Sequence, residues 1–337
     1  GTPLRQRGGL LVLTMPLETL DFEEPIAVLL KEIGTLRQLP RSPERQQQIE
    51  TLNERVGSVR REIYAKLTPW QQVLVARHPS RPHTLDYVER LFTDFVEIHG
   101  DRRFGDDAAI VAGFARWEDQ EVLVVGHQKG RGTPEKIRRN FGYARPEGYR
   151  KAMRAMKLAE KFGRSIVVFV DTPAAYPGID SEERGVAEAI AHNLREMAML
   201  EVSTIVIVAG EGGSGGALGL AIGDRILMQE FAIYGVIPPE GCAAILWRDA
   251  GKKVEAAEAL KLLPVDLMAM KIVDEIVPEP AGGAHTDAAA AAQMLRGPLR
   301  AALEQAAALS TAERLERRYE KFRQMGNIGV EDLGPIR

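Results

Sequence analysis

Two short runs, 165–170 (SIVVFV) and 204–209 (TIVIVA), constrain the fold of this 337-residue chain more than any other feature. Both are β-branched and apolar without alternation, the pattern of strands buried on both faces. The first is bounded by Gly163 and by Asp171-Thr172-Pro173; the second runs straight into 210–216 (GEGGSGG). Upstream, 146–162 places Tyr149, Met153, Met156, Ala159 and Phe162 on one face, an amphipathic helix stopped by Gly163, with its methionines read as core. Between the runs, Asp180 and Glu183 offer an N-cap and its N3 partner for a helix carrying Val186, Ile190, Leu194 and Met197. Strand, loop, helix, strand, glycine loop, helix is an α/β order, with functional loops expected at the strand ends.

Around this centre the periodicities predict smaller pieces. Ile26, Leu29, Ile33 and Leu36 have helical spacing, ended by Pro40 and Pro43; Ile49, Leu52, Val56, Val59 and Ile63 follow in steps of three and four. The expectation is an αα-hairpin used for packing or assembly. IVAGFARW and EVLVVG flank Glu118-Asp119-Gln120 as a β-hairpin. After Asp224, 225–237 reads as a strand, followed by a helix from Cys242 to Trp247 and further helices over 254–263 and, in two pieces, 286–321. The loop around His285, with Pro280, Gly282 and Gly283, reads as surface.

A net charge of −3 gives no overall attraction to nucleic acid or an anionic membrane. A single cysteine, Cys242, leaves no disulfide framework and no cysteine-based zinc cluster within the chain, and points to a reducing cytoplasm. No apolar stretch approaches the roughly 18 residues that span a bilayer, and 10–13 (LLVL) is too short for a signal core. Residues 1–14 precede a plausible start at Met15 and are expected to be an extension or an expression scar.

The glycine loop fits several patterns at once. Gly210, Gly212 and Gly215 satisfy G-x-G-x-x-G, with Glu230 at the spacing of a ribose-binding acid, but the helix expected over 216–222 is short for a crossover. Gly212, Ser214 and Gly216 satisfy the G-x-S-x-G elbow, for which His285 is the only downstream histidine. A phosphate loop fails because no Gly-Lys-Ser/Thr follows. In the fourth reading the glycines let a reacting oxygen approach main-chain N–H groups at a helix start, an oxyanion hole suited to an enolate or a polarised carbonyl. Tight helix–sheet packing alone would explain one or two glycines, not five within seven positions.

Six motifs in order, GHQKGR (126–131), RRNFG (138–142), PEGYRK (146–151), DTPAAYPG (171–178), EGGSGGAL (211–218) and PEGCAAILW (239–247), resemble the alpha subunit of the bacterial and plastid acetyl-CoA carboxylase carboxyltransferase. The resemblance runs from about Leu20 to the region of 278–285. It implies an α/β, crotonase-like (ClpP/crotonase) spiral of ββα units with an N-terminal helical hairpin. The boundaries expected are 15–75 for the hairpin, 76–285 for the carboxyltransferase domain and 286–337 for C-terminal helices. It also implies transfer of a carboxyl group from carboxybiotin to acetyl-CoA to form malonyl-CoA, the first committed step of fatty acid synthesis, within an ATP-dependent complex.

The implied partners are a beta subunit in an alpha2beta2 assembly, the biotin carboxyl carrier protein and biotin carboxylase. Biotin is carried by a partner, none is bound covalently here, and zinc belongs to the beta subunit only. Gly215 and Gly216 match the catalytic oxyanion-hole pair; Gly212, Gly213, Lys129, Arg131, Tyr176 and Glu240 are candidate substrate-binding residues, and no metal ligand is assigned. Lys129, Arg131, Lys136, Arg138, Arg139, Arg145, Arg150 and Lys151 form a basic stretch that either attracts CoA phosphates or an acidic carrier domain, or is a solvated surface. Three positions depart from the family pattern. Ala174 stands for a glycine, and would be strained if the position needs φ > 0; Gly235 and Pro238 stand for serines. Two other functions stay open: a non-catalytic crotonase-fold assembly subunit, and an acyl-CoA hydratase or hydrolase acting alone.

Overall fold

The computed structural model describes residues 19–326, so the expected extension over 1–14 lies outside the described residues. The first pair of helices follows the apolar spacing. α1 (Glu24–Gln38) and α2 (Pro43–Tyr64) bury Ile26, Leu29 and Ile33 against Ile49 and Val56, and the Ser42 hydroxyl caps α2 by accepting from the Arg45 N–H. Their junction with the rest is mixed: the Tyr64 ring packs on Val75 and Phe231, and polar groups surround it. Tyr64 donates to Glu23 Oε1 at 2.7 Å, and the His285 ring stacks on His78 with centroids 3.9 Å apart. The segment around His285 is therefore not a surface loop: Ala284 N–H donates to the buried Glu279 carboxylate, and His285 is itself buried.

α3 (Pro69–Ala76) and α4 (Thr84–Leu91) lead into the sheet. Its antiparallel part is β1 (Thr93–Glu97), β2 (Ile110–Trp117) and β3 (Gln120–His127), and the β2–β3 register runs from Trp117↔Gln120 to Ile110↔His127. The expected hairpin is present, with Glu118 at φ 53 in its turn. α5 (Gly132–Arg138) and α6 (Pro146–Lys161) follow, and left-handed Gly163, φ 64, stops α6.

The sheet then becomes parallel. β4 (Ser165–Thr172), α7 (Ile179–Glu183), α8 (Val186–Ala198), β5 (Thr204–Gly213), α9 (Ser214–Leu218), β6 (Arg225–Gln229), β7 (Ile233–Gly235), α10 (Pro239–Leu246), α11 (Lys253–Ala259), α12 (Pro264–Ala269) and β8 (Glu275–Val277) give the strand order β1-β2-β3-β4-β5-β6-β8. β7 lies off this row, paired with the far end of β5. Helices cover both faces. Met153 and Met156 of α6 with Ala189 and Met197 of α8 pack on Val168, Val170, Val206 and Val208; Tyr87 of α4 with Leu295 and Leu299 of α13 (Ala288–Ala307) pack on Val167, Phe169, Ile205 and Ile207. Successive residues thus enter opposite cores, which is why these strands show no polar alternation.

Three expected boundaries shift. Asp180 is not an N-cap: it lies inside α7 and pairs with Arg184 at 3.1 Å, and left-handed Gly185, φ 76, precedes the start of α8. Residues 225–237 divide into two strands because the chain turns at Phe231, whose N–H donates to Glu279 Oε1 at 2.9 Å. The helix expected from Cys242 begins at Pro239, with proline in its first turn. No helix among the described residues is long and apolar enough to cross a membrane.

α14 (Thr311–Gln324) is anchored by Arg318, 1% exposed, which pairs with Asp224 Oδ1 at 2.8 Å and donates to the carbonyls of Met197 and Leu200. Arg318→Ala leaves that carboxylate and those carbonyls without their donor, so denaturant unfolding is expected to show a loss of about 3–5 kcal/mol. Burial also pushes His83 and His127 down to about 4, and burial with His78 beside it pushes His285 down to about 2. These imidazoles stay neutral in the fold but charge near their ordinary value once unfolded, so their stability contribution is full above about pH 6.5 and is lost as pH falls toward 4. Denaturation between pH 6.5 and 4 should therefore show uptake of about two to three protons on unfolding; a pH-independent midpoint there contradicts their burial.

Candidate active site

The site forms where β5 changes partner. It pairs with β6 as far as Val208↔Met228, and then with β7 from Glu211↔Ile233 to Gly213↔Gly235. The first part of the expected glycine loop is therefore strand. Next to it, β4 and β5 shift register between Val170 and Thr172, bringing Thr172 opposite Gly212. The segments following the two strands then run backbone against backbone. A Cβ on Gly213 would overlap the Pro173 carbonyl, and one on Gly216 would overlap the peptide between Ala174 and Ala175. Gly212 lies under the Tyr234 ring, where a Cβ would come within 2.6 Å, whereas Gly215 has ordinary room.

The helix after this turn is α9, five residues beginning at Ser214, earlier and shorter than the 216–222 expected. Ser214 takes φ 52 to make the turn. Gly215 and Gly216 fall in its first turn, where N–H groups have no carbonyl one turn back. Gly213 and Gly215 are half-buried, Gly216 is buried, and the Tyr149 hydroxyl donates to the Gly216 carbonyl at 3.2 Å. Ala174 does not occupy the left-handed region, so its substitution adds no backbone strain.

Beside the turn lies a cleft of about 520 Å³ lined by Arg77, His78, Arg81, His83, Lys129, Lys136, Phe141, Tyr143, Asp171, Glu211, Pro238 and Glu240, among others. A ladder of alternating charges runs along it. Lys129 Nζ meets Asp171 Oδ1 at 2.8 Å and Glu211 Oε2 at 2.6 Å; Arg77 meets Glu211 Oε1 at 2.5 Å and Glu240 Oε1 at 2.6 Å. The Glu211 N–H also donates to Asp171 Oδ1 at 2.9 Å. Burial alone would raise the two carboxyls and lower the amine. Lys129 outweighs it, holding Asp171 and Glu211 below the usual carboxylate range, and they in turn hold Lys129 above the usual amine range. Deeper in, Arg81 pairs with Glu279 at 2.5 Å and donates to the Ala209 carbonyl at 2.7 Å, just before the partner change.

Of the candidate binding residues, Lys129 and Glu240 line the cleft and Gly212 and Gly213 build its neighbouring turn. Arg131 and Tyr176 do neither. Arg131 pairs with Asp86 at 2.8 Å, and Tyr176 lies under the Arg145 guanidinium, 4.8 Å from its ring centroid. The basic stretch is neither a phosphate site nor a solvated surface as a whole: Lys151 is buried on Asp106 at 2.6 Å, Arg139 is buried on Glu135 at 2.9 Å, and the half-buried Arg150 pairs with Asp101 at 2.8 Å. The hydrolase elbow loses its histidine to the His78 stack. Glu230 accepts the Glu279 N–H at 3.0 Å, a structural role in place of a ribose contact. Sequence reasoning missed Asp171 and Glu211 as site residues, although acids ending buried strands are a signal that could have found them; Arg77 and Arg81 had no comparable signal, because their partners lie 134 and 198 residues away.

The profile of the family described as acetyl co-enzyme A carboxylase carboxyltransferase-like matches residues 19–326, extending beyond 278–285 through both C-terminal helices. The acetyl-coenzyme A carboxylase carboxyl transferase subunit alpha of Geobacter metallireducens is 55% identical over 92% of this chain and 98% of its own. That of Geobacillus kaustophilus is 52% identical over 92% and 96%. Among solved structures, the transcarboxylase 12S core superposes with TM-score 0.55 at 20% identity, over 67% of this chain and 41% of its own. A Pseudomonas malonate decarboxylase hetero-tetramer superposes with TM-score 0.53 at 17% identity, over 66% and 90%. These likenesses bear on architecture alone, and the fold is crotonase-like. A glycine turn built by backbone contact, a buried charge ladder beside it and identity along nearly the whole length agree, and the chain belongs to the alpha-subunit family of acetyl-CoA carboxylase carboxyltransferases.

Proposed function

We propose that this chain, joined to a beta subunit, transfers the carboxyl group of carboxybiotin to acetyl-CoA and so forms malonyl-CoA for fatty acid synthesis in the cytoplasm. The observation that carries this reading is identity of 55% across 98% of a carboxyl transferase alpha subunit. The biotin carboxyl carrier protein delivers the donor, biotin carboxylase loads it, and the beta subunit completes the acyl-CoA side in an alpha2beta2 assembly and holds the zinc.

Carboxybiotin supplies an activated carboxyl group that leaves readily as or near CO2. The chain's own part is electrostatic. The N–H groups of Gly215 and Gly216 meet the negative charge that develops on the donor's ureido oxygen, and each such preorganised donor is worth about 10² to 10³ in rate. The missing Cβ atoms support this assignment, since the turn takes its shape only because Gly213 and Gly216 lie on the 173–175 backbone. Lys129 and Arg77 keep Asp171 and Glu211 ionised and tied, which makes these carboxylates poor proton acceptors and good supports for the turn. Lys129 and Glu240 border the donor's cleft; Arg131 and Tyr176 shape its surroundings.

Mixed with its beta subunit, the chain should give malonyl-CoA from acetyl-CoA and a carboxybiotin donor, and no product when either is omitted. Turnover of an acyl-CoA by the chain alone would instead make it a self-sufficient hydratase or hydrolase. Gly216→Ala, in a variant that still assembles by mass measurement, should lower kcat by about 10² to 10³. Full activity in that complex removes the oxyanion role and leaves an assembly subunit.

A further inference from the structure

Residues 140–142 make three successive left-handed turns of backbone: Asn140 at φ 46, Phe141 at φ 55 and Gly142 at φ 83. Glycine takes this region freely; a phenylalanine does so only where its surroundings compel it. The compulsion here is visible. Tyr143 N–H donates to the Asn140 carbonyl at 2.9 Å, the Asn140 amide returns to the Tyr143 carbonyl at 2.8 Å, and the Thr172 hydroxyl donates to the Gly142 carbonyl at 2.7 Å. Lys129 packs on Gly142 so closely that a Cβ there would lie 2.7 Å from its Cγ. The Phe141 ring takes no part in this holding. It is 51% exposed, belongs to none of the buried clusters, and borders the cleft with Lys129, Lys136 and Tyr143. A large apolar side chain kept half-exposed on strained backbone is the pattern of a functional position.

We propose that Phe141 is the ring-stacking wall of the cleft and a specificity-determining residue for the carboxyl donor, held in place by the left-handed turn. The ladder's three carboxylates, Asp171, Glu211 and Glu240, face two cations, Lys129 and Arg77; of the two further cations on the lining, Arg81 is neutralised by the buried Glu279 and Lys136 brings the rest to balance. Such a lining offers no surplus positive field for a run of phosphates. It suits a flat, uncharged ring that has an apolar face for Phe141 and a polar edge for the ladder, which describes the ureido ring of biotin better than coenzyme A. This assignment rests on the proposed carboxyl transfer and deepens it.

The test runs the alpha–beta complex in reverse, with malonyl-CoA giving up its carboxyl group to free biocytin and leaving as acetyl-CoA. Phe141→Ala should raise the KM for biocytin by about fivefold to tenfold, the loss expected for one aromatic contact, and leave the KM for malonyl-CoA unchanged. Phe141→Tyr should keep both. Phe141→Gly should raise the biocytin KM in the same way yet melt no lower than wild type, because the backbone strain is relieved as the ring is lost. A rise in the malonyl-CoA KM instead, no change in either constant, or a destabilised glycine variant each overturns the proposal. Absence of any transfer by the wild-type complex is a different result and counts against the proposed function.

Discussion

The arrangement depends on one close approach, the main chain of 173–175 lying directly on the main chain of 213–216. Two parallel strands are ordinarily about 4.7–4.9 Å apart and their following segments diverge to make room for side chains. Here they do not diverge, because Gly213 and Gly216 present no Cβ. The consequence spreads outward. β5 is drawn away from β6 and toward β7, α9 starts abruptly at a left-handed serine, and the acids at the strand ends, Asp171 and Glu211, are brought into contact with the same lysine.

That convergence of acids sets the electrostatics. Two carboxylates sharing a buried site would ordinarily drive one of them to its neutral form. Lys129 between them and Arg77 beyond Glu211 reverse this, and the ladder stays charged. Glu240, which the sequence presented as a substrate contact, ends the ladder through Arg77 and joins α10 to the glycine turn. Tyr176 and Arg131 came from the same motifs but are used for packing and for pairing with Asp86. Motif membership located the neighbourhood of the site, and side-chain direction divided it into lining and support.

Much of the fold was legible because its signals are local. The αα-hairpin could be read from steps of three and four, the β-hairpin from two runs flanking a polar turn, and the central strands from apolar runs that lack alternation. The departures share a cause as well. The start of α8, the division of 225–237 and the burial of His285 are all decided by partners remote in sequence or by a single left-handed glycine, as Gly185, Glu279 and His78 illustrate. Within the site, the glycines and Lys129 were legible through their motifs. Arg77 and Arg81 were not, since an arginine following a short helix carries no mark of the carboxylate it will meet.

The pairing of Arg81 with Glu279 joins residues 198 positions apart, in a place where Arg81 is 1% exposed. A chain emerging from the ribosome presents this arginine long before its counter-charge exists, and an uncompensated guanidinium cannot enter the core beneath β5. The support that Arg81 gives the Ala209 carbonyl, just before the partner change of β5, is therefore complete only once Glu279 has joined the fold.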